Sequence, residues 1–213
     1  MSSGWSATAG GHALRAGLQD PRGTADGNGP ECNALPANGV DLPRARAQAG
    51  FMTNPTSAQR ILFVCLGNIC RSPTADGVFR AMARQRGVQV QVDSAGTGAW
   101  HVGNPPDRRM QASARAAGYD LSDLRARQFQ PADFDRFDLL LAMDAQNLRD
   151  MERQRPVGNE TPARLFLDYG TGAMSDVPDP YYEDNFDDVL ALIEETSERL
   201  LTALERGQHL DPS

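Results

Sequence analysis

Cys65 and Arg71 enclose five residues, Leu66-Gly67-Asn68-Ile69-Cys70, and Ser72-Pro73 follows at once. A loop of this length between a strand and a helix can curl so that successive backbone N–H groups point inward. That makes a concave anion site backed by the positive end of the following helix. Gly67 and Asn68 are the residue types that tolerate the left-handed backbone such a curl requires. Arg71 adds a planar fork that can hold two oxygens of a tetrahedral oxyanion. Cys65 at the floor feels the same field, and such surroundings lower a thiol pKa from about 8.5 into the range of about 3.5 to 7.5. The chemistry expected is a thiolate facing a bound phosphate. An isolated cysteine near a strand end is usually a small buried hydrophobe. Here the strand, the Cys-x5-Arg spacing, Gly and Asn in the loop, and a Ser-Pro helix start occur together.

The elements that must position this loop are legible around it. Ile61-Leu62-Phe63-Val64 is a continuous apolar run ending at the loop, as a buried parallel strand should. Ser72 reads as N-cap and Pro73 as the first helical residue, with Ala75, Val78, Phe79 and Met82 supplying an apolar stripe. Val88–Val92 alternates as a second strand, and 107–117 is helical up to Gly118. Phe137–Met143 is a third strand, followed by a helix from Asp144 to about Arg153. Ala163–Leu167 is a short fourth strand, and Phe186–Leu204 is a long amphipathic helix carrying Val189, Leu190, Ile193, Leu200, Leu201 and Leu204. Strands alternating with helices predict an open four-stranded parallel α/β sheet with helices on both faces. Sites in such sheets form at the carboxyl ends of strands.

Composition limits the alternatives. The 213 residues hold three cysteines, and all 21 basic residues are Arg against 28 acids, a formal net charge of −7. The absence of Lys removes Schiff-base lysine chemistry and the Walker A lysine. The charge argues against a nucleic-acid-binding surface, and no run of about 18 apolar residues could span a membrane. Cys32, Cys65 and Cys70 form no CxxC pair, so neither a zinc site nor a disulfide framework is expected. A reduced, cytoplasmic setting fits. Residues 1–58 are rich in Gly, Ala and Pro without sustained periodicity and are expected to form a disordered N-terminal extension. The domain proper is expected over 59–208.

With these segments set out, the chain resembles the low-molecular-weight protein-tyrosine phosphatase family, and hence the phosphotyrosine phosphatase I type of the flavodoxin-like fold. ILFVCLGNICRSPTADGVFR looks like that family's nucleophile strand, phosphate loop and first helix. VDSAGTGAWHVGNPPDRRM at 92–110, ARQF at 126–129, FDLLLAMDAQNLRDM at 137–151 and VPDPYYED at 177–184 look like its later motifs, in order. The resemblance covers about residues 59–206 and implies a phosphatase that acts through a phosphocysteine on Cys65. Arg71 would clamp the transferring group, and Asp179 of Asp179-Pro180-Tyr181 would serve as general acid and then base, which requires it to be partly protonated. Leu66, Gly67, Asn68, Ile69, Cys70 and Ser72 would complete the phosphate site, Asn68 holding the loop's shape. Ser72 would either donate to the Cys65 sulfur or act only as N-cap. Trp100, Tyr181 and Tyr182 look like walls of a slot deep enough to favour phosphotyrosine over phosphoserine. The two tyrosines are also candidates for phosphorylation. No metal or other cofactor is implied.

Cys70 reads equally as a buried small residue and as a resolving thiol that would capture an oxidised Cys65 as a reversible disulfide. Arsenate reductases of similar fold use further cysteines in a later segment, and this chain has none after Cys70. Protein-arginine phosphatases carry Thr where Ile69 stands. A catalytically silent phosphotyrosine-binding module would not require Cys65, Arg71, Ser72 and Asp179 together. Partners implied by the resemblance are phosphotyrosine-containing proteins and a cognate bacterial tyrosine kinase, with the chain a monomer or weak dimer. Secretion by a non-classical route remains compatible with the sequence.

Overall fold

Four strands form one parallel sheet in the order β2-β1-β3-β4, with β1 Gln59–Cys65, β2 Val90–Gly96, β3 Leu139–Ala142 and β4 Ala163–Leu165. The computed structural model describes residues 58–207, so the extension read over 1–58 lies outside the described residues, Ala58 excepted. The predicted open parallel α/β sheet is the observed one. β1 is central because Ile61–Val64 is apolar on both faces. Its odd residues Ile61 and Phe63 enter one core, and its even residues Leu62 and Val64 enter the other.

The first core is covered by α1 (Arg71–Arg86), α2 (Arg108–Ala116) and α6 (Phe186–Glu205). Phe63 is held edge-on by Phe79 of α1 at 5.8 Å and by Phe166 at 5.5 Å. The second core takes Phe129, Phe134 and Phe137 around a one-turn helix, α3 (Asp133–Arg136). Met151 joins it from α4 (Ala145–Glu152). Two short elements have no counterpart in the sequence reading beyond α3: a 3-10 turn at Phe166–Tyr169 and α5 at Pro180–Glu183. Among the described residues no helix is long and apolar enough to cross a membrane.

Several boundaries differ from expectation, β3 among them, which spans Leu139–Ala142 rather than Phe137–Met143. β2 starts two residues later than the alternation suggests and runs on through Asp93-Ser94-Ala95-Gly96. Pairing with β1 carries it to the register Cys65↔Gly96 even though its alternating pattern stops at Val92. β4 ends at Leu165 because Phe166 and Leu167 turn into the 3-10 segment.

Asp76 is the discordant group in the first layer. It lies on α1 only 2% exposed, its Oδ1 has no hydrogen-bond partner, and Arg80 Nε stands 4.0 Å away. Burial pushes its pKa up to about 6, opposed by Arg80 and reinforced by Asp93. A carboxyl whose folded pKa exceeds its unfolded value supports the fold while protonated, and that support is lost as pH rises through the folded pKa. Asp76→Asn is therefore expected to be more stable than the parent at about pH 7.5, by on the order of 2 kcal/mol, with the gap closing toward about pH 4.5. Urea unfolding at both pH values measures it. A gap that does not change with pH would show that ionisation of Asp76 is not its cause.

Candidate active site

The loop after β1 is held in its curl from outside. The carbonyls of Cys65 and Leu66 accept from Thr97 and Gly98 N–H at 2.9 Å each, that of Ile69 from Asp107 N–H at 2.7 Å, and that of Cys70 from Thr74 N–H at 3.2 Å. A trans peptide points its N–H opposite its C=O. The amides of Leu66, Gly67, Cys70 and Arg71 therefore turn toward the concave side, at the N-terminus of the sixteen-residue helix α1.

Asn68 makes the sharp bend. Its φ is 54°, in the left-handed region that Asn tolerates better than most residues. Its side chain fixes that bend twice over: Nδ2 donates to Ser72 Oγ at 2.9 Å, and Oδ1 accepts from Arg127 N–H at 2.9 Å. Gly67 does not share the left-handed conformation expected of it. Its missing side chain matters instead for close approach, since a Cβ there would lie 3.1 Å from His101 Cδ2.

Cys65 Sγ sits nearly buried at the loop floor and accepts from Asn68 N–H at 3.2 Å and from Ser72 Oγ at 3.0 Å. Ser72 is not the N-cap. The helix already begins at Arg71, with Cys70 as its N-cap residue and no side-chain cap. The Ser72 hydroxyl, fully buried, is directed to the sulfur and to the Ala95 carbonyl at 3.2 Å.

Arg71 is 4% exposed and its guanidinium is gripped on one side. Nη1 donates to Asp144 Oδ2 at 2.7 Å and to the Val177 carbonyl at 3.1 Å, and Nη2 donates to Asp179 Oδ2 at 2.9 Å. Burial works against its charge, but Cys65, Asp179 and Asp144 outweigh burial and raise its pKa above the ordinary arginine value. A guanidinium has five N–H donors. With both Nη1 hydrogens engaged and one Nη2 hydrogen on Asp179, Nε–H and the second Nη2–H form the edge that can take two oxygens of an oxyanion.

Cys65, Gly67, Cys70, Arg71 and Asp179 line one cleft of about 280 Å³, which Leu66, Ile69, Trp100, His101, Tyr181 and Tyr182 also border, whereas Asn68 and Ser72, expected in the phosphate site, are buried and do not line it. Trp100, Tyr181 and Tyr182 are exposed, the Trp100 ring packed so close over Gly98 that a Cβ there would meet it at 1.8 Å. Cys70 is buried at 4% exposure and packs into the first core. Burial, with Asp107 and Cys65 adding, pushes its thiol well up, so it is held as the thiol at neutral pH.

Residues 60–210 match the family model described as low molecular weight phosphotyrosine protein phosphatase. A Bacillus subtilis relative, low molecular weight protein-tyrosine-phosphatase YfkJ, is 41% identical over 153 residues, covering 70% of this chain and 98% of the relative. The chain belongs to the low molecular weight phosphotyrosine protein phosphatase family. It is a protein-tyrosine phosphatase, and its substrates are phosphoproteins. A human member of the family is 39% identical over 135 residues, covering 62% of this chain and 85% of that protein. The crystal structure of YfkJ superimposes with a TM-score of 0.68 at 40% identity, over 72% of this chain and 98% of that one. Vibrio vulnificus Wzb, in complex with benzylphosphonate, superimposes at 0.60 and 27% over 68% and 99%.

Two residues not singled out from the sequence are packed against the site. Asp144 lies just beyond β3, at the carboxyl edge of the sheet, and its Oδ1 also caps α4 by accepting Asn147 N–H at 2.6 Å. Its place after a buried strand was the available signal. Gly96 is the other omission. A Cβ there would stand 2.9 Å from Leu66 O, 3.0 Å from Gly67 C and 3.1 Å from Asn68 N, all backbone of the phosphate loop. Gly96→Ala is expected to leave the phosphatase folded by circular dichroism yet to weaken competitive inhibition by inorganic phosphate roughly tenfold or more, because a displaced loop loses aimed amide donors. Unchanged phosphate affinity would show that the loop yields to the methyl group without losing its shape.

Proposed function

We propose that this phosphatase hydrolyses phosphotyrosine in two steps, with Cys65 as nucleophile, Arg71 as phosphate clamp and Asp179 as general acid and base. The observation that carries this reading is the convergence, in one cleft, of the Cys65 sulfur, the open Nε and Nη2 edge of Arg71, and the Asp179 carboxylate bonded to that same Nη2. In the first step the sulfur attacks phosphorus in line, the S–P bond forms, and the P–O bond to the phenol breaks. Asp179 supplies the proton to the departing oxygen. Loop amides and Arg71 hold the charge on the three equatorial oxygens. In the second step Asp179 takes a proton from water, the water oxygen attacks phosphorus, and Cys65 leaves as a thiolate that the Asn68 N–H and Ser72 hydroxyl receive.

Asp179 begins α5 and is anchored through Tyr181 N–H, which donates to its Oδ1 at 3.2 Å. Its other oxygen is on Arg71 Nη2, beside the edge left for the phosphate, so the carboxyl is held next to the leaving-group oxygen of a bound substrate. Phosphotyrosine suits the cleft because its ring can lie among Trp100, Tyr181 and Tyr182 while the phosphate reaches the floor. A shorter phosphoserine would leave those rings unfilled. Binding of benzylphosphonate by the Vibrio relative is in keeping with an aryl substrate. A bacterial tyrosine kinase is the natural source of such substrates, and a reducing, cytoplasmic setting, with the chain a monomer or weak dimer, fits the cysteine usage.

Cys65→Ser and Arg71→Ala are each expected to abolish turnover of aryl phosphates in folded protein. Asp179→Asn should lower kcat by about 10² to 10⁴ for phenyl phosphate and much less for activated nitrophenyl phosphates, because a good leaving group needs little proton donation. Steady-state kinetics across a leaving-group series provides the check. A loss equal for all leaving groups would reject Asp179 as the acid.

A further inference from the structure

The segment carrying Asp179 has to stay over the cleft, and one exposed residue on a different helix reaches it from behind. Arg109, the second residue of α2, is held at its own base by Asp107. Its N–H donates to Asp107 Oδ1 at 2.8 Å, its Nε to the same oxygen at 3.2 Å and its Nη2 to Asp107 Oδ2 at 3.2 Å. Asp107 in turn donates its N–H to the Ile69 carbonyl of the phosphate loop. The remaining edge of Arg109 crosses to the acid-bearing segment. Nη1 donates to Asp184 Oδ1 at 3.1 Å, directly after α5, and the guanidinium carbon lies 5.6 Å from the centre of the Tyr181 ring and 4.6 Å from that of Phe186. Asp184 closes α5 with φ 57° and returns its N–H to the Pro180 carbonyl at 3.0 Å. Tyr181 is the residue whose N–H anchors Asp179.

We propose that Arg109 is a positioning residue for proton transfer, a strap that ties α5 to the phosphate loop through Asp107 and thereby sets the placement of Asp179 over the leaving-group oxygen. Each contact taken alone is weak, since exposed ion pairs contribute little and a cation over an aromatic face contributes modestly. Here one planar side chain makes them all, so the entropic cost of ordering it is incurred once for two carboxylates and two rings. The binding edge of Arg71 and the inward amides do not depend on Arg109 directly. Loss of the strap therefore acts on proton donation and spares phosphate binding. A misplacement of about 1 Å in a reacting group can lower a rate by about 10².

The inference rests on the reading of Asp179 as proton donor, and a set of four proteins separates the two claims: parent, Arg109→Ala, Asp179→Asn and the double variant. Arg109→Ala should lower kcat for phenyl phosphate by roughly tenfold and for an activated nitrophenyl phosphate by less than about threefold, as partial loss of a general acid requires. Inhibition by inorganic phosphate should stay within about twofold of the parent. In the double variant the Arg109 change should add no loss beyond Asp179→Asn. Asp184→Asn, which keeps a residue suited to positive φ and cuts only the far end of the strap, should show the same leaving-group pattern at smaller amplitude. If Asp179→Asn itself lacks leaving-group dependence, the underlying reading of the acid fails and the strap fails with it. If Asp179→Asn shows that dependence but Arg109→Ala slows all substrates alike, weakens phosphate binding equally, or multiplies with Asp179→Asn, Arg109 is only a structural ion pair and the proposal is overturned.

Discussion

A guanidinium that is 96% hidden from water has to be surrounded by acceptors, and the architecture around Arg71 follows from that requirement. Asp144 arrives from the end of β3, the Val177 carbonyl and Asp179 arrive from the segment before α5, and Cys65 lies across the cleft. Three separate stretches of chain converge on one side chain. Removing any acceptor leaves a buried donor unpaired, whereas a phosphate completes the set. The same burial that makes the cation costly makes its grip on an oxyanion strong, because little water competes there.

The phosphate loop imposes the second constraint. A curl with its amides inward is stable only if its carbonyls are satisfied outward, and β2's continuation into Thr97 and Gly98 provides two of those donors. This explains why β2 runs farther than its hydrophobic alternation and why it ends on Gly96, where any side chain would strike the loop backbone. Arg127, whose N–H holds Asn68, is itself fixed by Asp93 and by the fully buried Asp133. The loop's shape thus reaches into α3, an element whose four residues carry no periodic signal.

How much was legible in the sequence depended on the length scale of the interaction. Continuous apolar runs announced β1 and β3, and the stripe of Val189, Leu190, Ile193, Leu200 and Leu201 announced α6, because burial of whole faces leaves a periodic trace. The Cys-x5-Arg spacing located the anion site for the same local reason. Of the two readings of Ser72 only the N-cap fails: Ser-Pro has the form of an N-cap and first turn, while the tertiary need for a donor to the Cys65 sulfur draws its hydroxyl inward, as the other reading has it. Gly67 was assigned a backbone role when its constraint is the neighbouring imidazole of His101. Asp144 reads locally as a helix cap, and its second partner, Arg71, lies 73 positions away. Single-turn elements such as α3 and α5 are set by capping and tertiary contacts too short to show a period.

The central claim is that the phosphoryl group passes through the Cys65 sulfur. Rapid quenching of the enzyme during turnover of an aryl phosphate, followed by mass spectrometry of its peptides under conditions that preserve thiophosphate esters, tests this directly. The account predicts a transient phosphoryl adduct on Cys65 that accumulates within the first turnover and disappears as substrate is consumed. An adduct on Cys70, His101 or any other side chain, or product formed through full turnovers with no adduct at any quench time, would contradict it.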